Sequence, residues 1–406
     1  MDGLAQLADH VGALEVDAAG VDAVLRRVFD SLAAVEIGKH ISDVGAHAGT
    51  GRDDASRVRF ATAAARATEA DDIHVRSCCT VGGVVVPATV LAARGPDDLV
   101  AGVVAGYEAM VRLALAIDGA ALVYRGVWTS LLCAPVGVAA AVARARGLSA
   151  ERTRSALALA VSRAVASAPE AGAGAPPRWW AIGTAAADGL LAADAAAVGV
   201  SAAPESVAMP VPCDAERLLE PLAPAAVLDV DTKAFPGARQ SLAAVQAALA
   251  VAVGQEPDTI ERVAIGVPAQ VLAMVDRSRT PRNRLDSLVD VRYQVALALS
   301  RPEALLDAIR EPPATAPELV ARIDVAADDE LTAAFPALGG RAELWAGGSS
   351  RSAVVEGVEP FGWAELEAKW EGIAAASGVE ARLQALRRAA ATGDPAMLAP
   401  LLFDGR

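Results

Sequence analysis

Residues Thr68-Glu-Ala-Asp-Asp-Ile-His-Val-Arg-Ser-Cys-Cys-Thr-Val-Gly-Gly-Val-Val-Val-Pro-Ala-Thr-Val-Leu91 decide how this chain is read. Glu69, Asp71, Asp72 and His74 fall within six residues, and beyond Arg76 the stretch carries no charge. Ionisable groups ahead of an apolar helix start admit two readings. The acidic pair can cap the helix and sit against its positive end. It can also supply acid–base groups, if burial lifts a carboxyl toward neutrality.

Outward from this stretch the spacing is helical. Residues 1–36 read as one or two helices, with Leu25, Val28, Leu32 and Val35 on one face. Residues 38–56, which hold His40 and His47, read as loop, and Ala61–Ala70 as helix. Asp97 is a candidate cap for a helix running to Ala116, with Leu99, Val103, Tyr107 and Met110 on one side. Glu108 and Arg112 on another face form an i,i+4 pair worth only tenths of a kcal/mol if exposed. Ser149 opens a further helix with a partial capping box. Residues 171–177 read as a Gly/Ala/Pro loop and Gly183–Gly199 as a small-residue helix.

Past residue 200 the texture changes. Pro204, Pro210, Pro212, Pro221 and Pro224 interrupt the helical pattern. β-like runs follow at 262–267, 319–325, 342–345 and 352–356, and turn signals between the last three suggest a small antiparallel sheet. Helices are expected near 241–252 and 291–300, and again from Trp363, with Leu366, Trp370 and Ile373 in register. The fold expected is mainly α with an α+β insert. A discontinuous helical domain of residues 1–228 and 362–406 would enclose an α+β domain of residues 229–361. Clefts between such domains are default ligand sites.

At 406 residues the chain can bury a large core, 54% of it apolar and only 4% aromatic. The net charge of -14 argues against a nucleic-acid partner, whose phosphates call for a basic surface. Uncharged stretches at Ser77–Ala93 and Gly126–Ala143 contain Pro and Gly and lack flanking aromatic belts, so they read as buried core and not as membrane spans. The N-terminus has no signal-peptide pattern. Cys78, Cys79, Cys133 and Cys213 have no metal-ligand or disulfide-framework spacing and read as reduced thiols of a cytoplasmic protein.

The opening stretch resembles the signature of the MmgE/PrpD family, where an Asp-Asp-Thr-His run precedes a His-Pro-Gly and an apolar helix. Further resemblances lie in order along the chain. They are Asp30-Ser-Leu-Ala-Ala34, Ala105-Gly-Tyr-Glu108 with Arg112, and Gly183-Thr-Ala-Ala-Ala-Asp-Gly189. After them come Lys233-Ala-Phe-Pro236, Tyr293-Gln-Val-Ala296 and Glu367-Ala-Lys-Trp370. The resemblance implies a helical bundle with a smaller α+β lid, a homodimer, no metal and no organic cofactor. It implies chemistry by proton abstraction next to a carboxylate, followed by dehydration, decarboxylation or epimerisation of a small carboxylate-bearing substrate.

Position by position, the resemblance nominates a site. Glu69 stands where an Asp is usual, while Asp71, Asp72 and His74 match. Ile73 replaces a Thr, Thr80 a principal His, Trp128 a second His, and Arg178 a Lys. Lys233, Arg239 and Tyr293 match, and Leu242 stands where a His is common. Catalytic candidates are therefore Glu69, Asp72, His74, Lys233 and Tyr293. Asp71, Thr80, Trp128, Arg178 and Arg239 are candidates for holding substrate, the arginines as carboxylate clamps. The missing imidazoles at positions 80 and 128 point away from the usual 2-methylcitrate and cis-aconitate reactions. The alternative is a catalytically silent homologue that binds a metabolite or serves as a scaffold subunit. Each residue also has a structural reading: Asp71 and Asp72 as caps, His74 as a satisfied core histidine, Arg178 stacked on Trp179 or Trp180, and Tyr293 as core. Cys78 and Cys79 are weak nucleophile candidates.

Overall fold

In the computed structural model, residues 3–45, 51–166, 178–223, 225–277, 280–312, 317–358, 360–380 and 382–403 are described. His47, the 171–177 loop and Pro224 lie outside them. Two hydrophobic clusters divide these residues. The larger is built from helices of the first half together with Leu366, Trp370, Ile373, Leu386 and Leu398 from the end of the chain. The smaller gathers Phe235, Leu242, Val263, Ile265, Tyr293 and Leu344. Met274 and Leu306 pack against both. The fold is mainly α, with an α+β part inserted into a helical bundle.

The bundle is tight because its facing positions are small. Helices Ala18–Gly38 and Asp54–Ala67 meet at Gly38, where a Cβ would stand 1.9 Å from the Ala64 carbonyl oxygen. The uncharged stretches become helices Gly82–Ala92 and Thr129–Ala145, buried along nearly their whole lengths. Among the described residues, Pro96–Ala116 is long and apolar enough to cross a membrane, but 89% of its apolar window is buried inside the protein. Asp97 lies in its first turn and not at its cap, because Pro96 occupies the first helical position. Glu108 and Arg112 prove to be a buried pair at 2.7 Å. Arg112 also donates to the Glu220 carbonyl, and Glu108 accepts from the Ala226 N–H. The pair therefore ties the Pro96–Ala116 helix to the segment leading into the lid.

In the lid, β1 (Ile260–Val267), β2 (Ile323–Ala327), β3 (Gly340–Ala346) and β4 (Ser349–Val355) form one mixed sheet in the order β2-β1-β3-β4. The expected three-strand antiparallel arrangement is corrected: β2 pairs with β1 in parallel, and only β1-β3 and β3-β4 are antiparallel. Glu318–Arg322 forms a 3-10 turn, so the second strand begins at Ile323. The β3-β4 hairpin turns on Gly347 and Gly348, both at positive φ, which a two-residue turn of matching twist requires. Helices Arg239–Val251 and Val291–Ser300 cover the sheet.

Candidate active site

The Asp54–Ala67 helix ends at Thr68, and Glu69 follows in the left-handed conformation at φ 52°. This costs a non-glycine residue roughly 1–2 kcal/mol, and it turns the chain sharply between the helix and the signature stretch. The turn is held from three sides. The Glu69 carbonyl accepts from the Gly237 N–H at 2.9 Å and from Lys233 Nζ at 3.2 Å. The Ala70 carbonyl accepts from Lys369 Nζ at 2.7 Å. Ile73 and Asp231 exchange two backbone hydrogen bonds. This short bridge lays the Lys233-Ala-Phe-Pro236 segment along the signature, which is how a residue 164 positions away reaches Glu69.

Lys233 and Glu69 are the centre of a buried ionic cluster. Nζ of Lys233 lies 2.9 Å from Glu69 Oε2 and 3.9 Å from Asp71 Oδ1. Arg66 reaches Glu69 Oε1 at 3.5 Å and contacts Asp71 Oδ1 closely. Arg178 lies 4.0 Å from Glu69. Burial alone would raise the Glu69 carboxyl, but Lys233, Arg66 and Arg178 hold it down at about 2. At Asp71 burial wins against Arg66 and Lys233, and the carboxyl is pushed up to about 6. Its Oδ2 is buried with no hydrogen-bond partner. Two neighbouring carboxyls are thus driven in opposite directions, an arrangement that assigns different protonation roles to similar groups.

The cluster faces a cavity of about 70 Å³ between bundle and lid, lined by Arg66, Glu69, Thr80, Arg178, Lys233 and Arg239 among others. In a chain of net charge -14 this lining sets four cations against one carboxylate. Larger grooves of about 260 Å³ beside Trp370 and about 370 Å³ beside Leu25 lie elsewhere and lack such a buried ionisable cluster. Trp128 forms one wall, with the Arg178 guanidinium 4.1 Å from the centre of its ring. Thr80 and Ser130 hydroxyls pair at 3.0 Å on another. Arg239 lines the cavity, but it donates to Asp231 at 2.8 Å and to the Leu338 carbonyl at 2.9 Å, so it also ties the junction to the lid sheet.

Three nominated catalytic residues are placed elsewhere. Asp72 accepts from the Gly82 and Val81 N–H groups at 2.8 and 3.3 Å and from the Tyr107 hydroxyl at 2.5 Å. Oδ1 serves the start of the Gly82–Ala92 helix and Oδ2 ties it to the Pro96–Ala116 helix through Tyr107, and Gly82 is needed there because a Cβ would stand 2.6 Å from the Tyr107 hydroxyl. His74 Nδ1 accepts from the Ser77 N–H at 3.2 Å, which leaves the ring proton on Nε2, facing Asp229 at 3.1 Å. This imidazole is buried and does not line the cavity. Tyr293 is fully buried in the lid cluster, its hydroxyl unpartnered and away from the cavity lining. Cys78 lines the cavity, but burial pushes its thiol up to about 12, which removes it as a nucleophile.

Arg66 is the central residue that the sequence reading passed over. It is the one charge in the run Ala61–Ala67, near a helix C-terminus where a solvated arginine is ordinary. The clue is its place three residues before Glu69, in the small-residue second half of its helix. Lys369 is a second such residue, visible in the sequence only as part of a late-helix motif. It is buried and bridges Asp30 at 2.7 Å to the Ala70 carbonyl. No group of three or more possible metal ligands occurs among the described residues.

The MmgE/PrpD N-terminal domain model matches residues 58–210, and the MmgE/PrpD C-terminal domain model matches residues 235–392. The chain belongs to the MmgE/PrpD family. Members of this family are generally lyases and dehydratases, so an enzyme of that broad kind is what membership supports. The C-terminal MmgE/PrpD match takes in helices Trp363–Ser377 and Leu383–Thr392, whose buried side chains join the bundle core. The junction between the two matches, 211–234, carries Lys233. No curated protein matches this MmgE/PrpD chain.

Proposed function

We propose that this protein is a cofactor-independent lyase or isomerase that removes a proton next to a carboxylate or carbonyl of a small metabolite, other than the usual 2-methylcitrate or cis-aconitate. The observation that carries this reading is the Glu69–Lys233–Asp71 cluster with Arg66, buried at the wall of a cationic cavity. A carbon acid needs a base near neutral strength and cations facing the developing enolate. Asp71, pushed up to about 6 by burial and with an unpartnered Oδ2, is the carboxyl of the cluster nearest the strength a base needs. The Lys233 ammonium, at the cavity wall, faces the negative charge that develops when the substrate loses its proton and is placed to return a proton to it. Glu69, held at about 2, stays charged and fixes Lys233 in place.

Among the described residues no imidazole lines the cavity, and this favours a silent metabolite-binding subunit as the second reading. Conversion of a panel of hydroxy acids, unsaturated acids and amino diacids by wild type and Lys233→Met separates the two. Loss of acid–base catalysis should lower turnover by about 10²–10⁴-fold, with the folded circular dichroism spectrum retained. Full turnover in Lys233→Met overturns the assignment, and absence of conversion of every compound favours the silent subunit.

A further inference from the structure

The cavity cations are not equally available. Arg66 is committed to Asp71 and Glu69, Lys233 to the Glu69 carboxylate and carbonyl, and Arg239 to Asp231 and the Leu338 carbonyl. Arg178 differs. Its guanidinium makes no hydrogen bond among the described residues, its Nε is buried without a partner, and its nearest carboxylate oxygen is 4.0 Å away. It is stacked against Trp128, which fixes the plane of the fork, and its side chain keeps 21% exposure. Burial lowers it only to about 10, so it stays a cation at neutral pH. Away from the ionic cluster the wall offers the apolar side chains Ile73, Val123, Met274 and Val289, beside the mutually paired Thr80 and Ser130 hydroxyls and Gln240.

We infer that the substrate is a monocarboxylate with an apolar arm: Arg178 receives its single carboxylate as a bidentate pair, and the arm lies against Ile73, Val123, Met274 and Val289. This deepens the function proposed above and takes from it the choice of cleft. A second or third carboxylate would have to displace Glu69, Asp71 or Asp231 from a cation. That strands a protein charge in the interior, where an unpaired ion is costly. Glu69, ionised at the cavity wall, would also repel it. An apolar arm meets neither penalty and buries surface against the four side chains.

The test is calorimetric titration of the full chain with 4-methylpentanoate, 4-methylpentan-1-ol and propane-1,2,3-tricarboxylate, repeated on Arg178→Gln and Arg178→Lys. A charged hydrogen-bonded pair is worth about tenfold or more in affinity. Wild type should therefore bind the monocarboxylate at least about tenfold more tightly than either other probe. Arg178→Gln should lose that advantage, and Arg178→Lys should keep part of it. Tighter binding of the tricarboxylate, equal binding of acid and alcohol, or no binding of any probe overturns the inference, and these comparisons need no variant. The proposed chemistry fails separately. Carbon-acid turnover of a tricarboxylate that is indifferent to Arg178 leaves the lyase reading standing without the monocarboxylate. Arg178-dependent monocarboxylate binding with no turnover of any acid does the reverse.

Discussion

Glu69→Gln removes the charge that Lys233, Arg66 and Arg178 share. In the fold its carboxyl moves from the ordinary 4.5 to about 2, with a side chain only 7% exposed. At roughly 1.4 kcal/mol per pH unit, that corresponds to about 3 kcal/mol of stabilisation of the charged form. Some is returned in the variant, because Glu69 is one of the charges that raise Asp71. A depressed carboxyl stabilises the fold fully above its unfolded value and loses that contribution as pH falls through its folded value. The gap between wild type and variant should therefore be about 3 kcal/mol at pH 5 and roughly half that at pH 3. Above pH 6 it should narrow slightly, as Asp71 ionises in both proteins. Urea unfolding followed by tryptophan fluorescence measures it, and urea leaves the ion pairs unscreened, as guanidinium would not. No gap at pH 5, or a gap of the same size at pH 3, would refute the shared-charge account of the cluster.

Asp71 carries the opposite sign. Its raised carboxyl favours the fold while protonated, and that advantage is lost as pH rises from 3.8 through about 6. Urea titrations should therefore show Asp71→Asn gaining on wild type by up to about 3 kcal/mol between pH 4 and pH 7, on top of any constant loss from the Arg66 contact. Lys369→Met leaves Asp30 and the Ala70 carbonyl without their buried ammonium, and an unfolding free energy lowered by about 3–5 kcal/mol is expected; a loss under 1 kcal/mol contradicts the bridging role. Alkylation by iodoacetamide at pH 8, read by mass spectrometry, should label half-buried Cys213 first and spare Cys78, Cys79 and Cys133 until the protein unfolds. Labelling of Cys78 as fast as Cys213 would mean that the cavity wall opens.

Much of the architecture was legible because it is written in local periodicity. Leu99, Val103, Tyr107 and Met110 share a helix face, and the alternation around Gly347 and Gly348 announces a hairpin. The parallel β1-β2 pair was missed because its strands are joined through long helical connections, so no turn between them marks the pairing. Glu69, Thr80, Trp128, Arg178, Lys233 and Arg239 line one cavity. Asp72 and His74 do not line it, since proximity in sequence to Glu69 says nothing of which way a side chain points after a left-handed turn, and Tyr293 is buried in the lid cluster instead. Arg66 and Lys369 were invisible for a related reason. A cation on a helix becomes a buried partner only when a carboxylate or carbonyl beyond that helix is folded against it, and here those acceptors come from the turn at residues 69–71.

Solvent-deuterium incorporation tests the central claim most directly. Wild type and Lys233→Met would be incubated in D₂O with small carboxylic acids, and the recovered acids weighed by mass spectrometry. The account predicts deuterium at the carbon next to the carboxylate or carbonyl of at least one acid with wild type, and its loss with Lys233→Met. Exchange that persists undiminished in Lys233→Met, or no exchange into any acid, would contradict it.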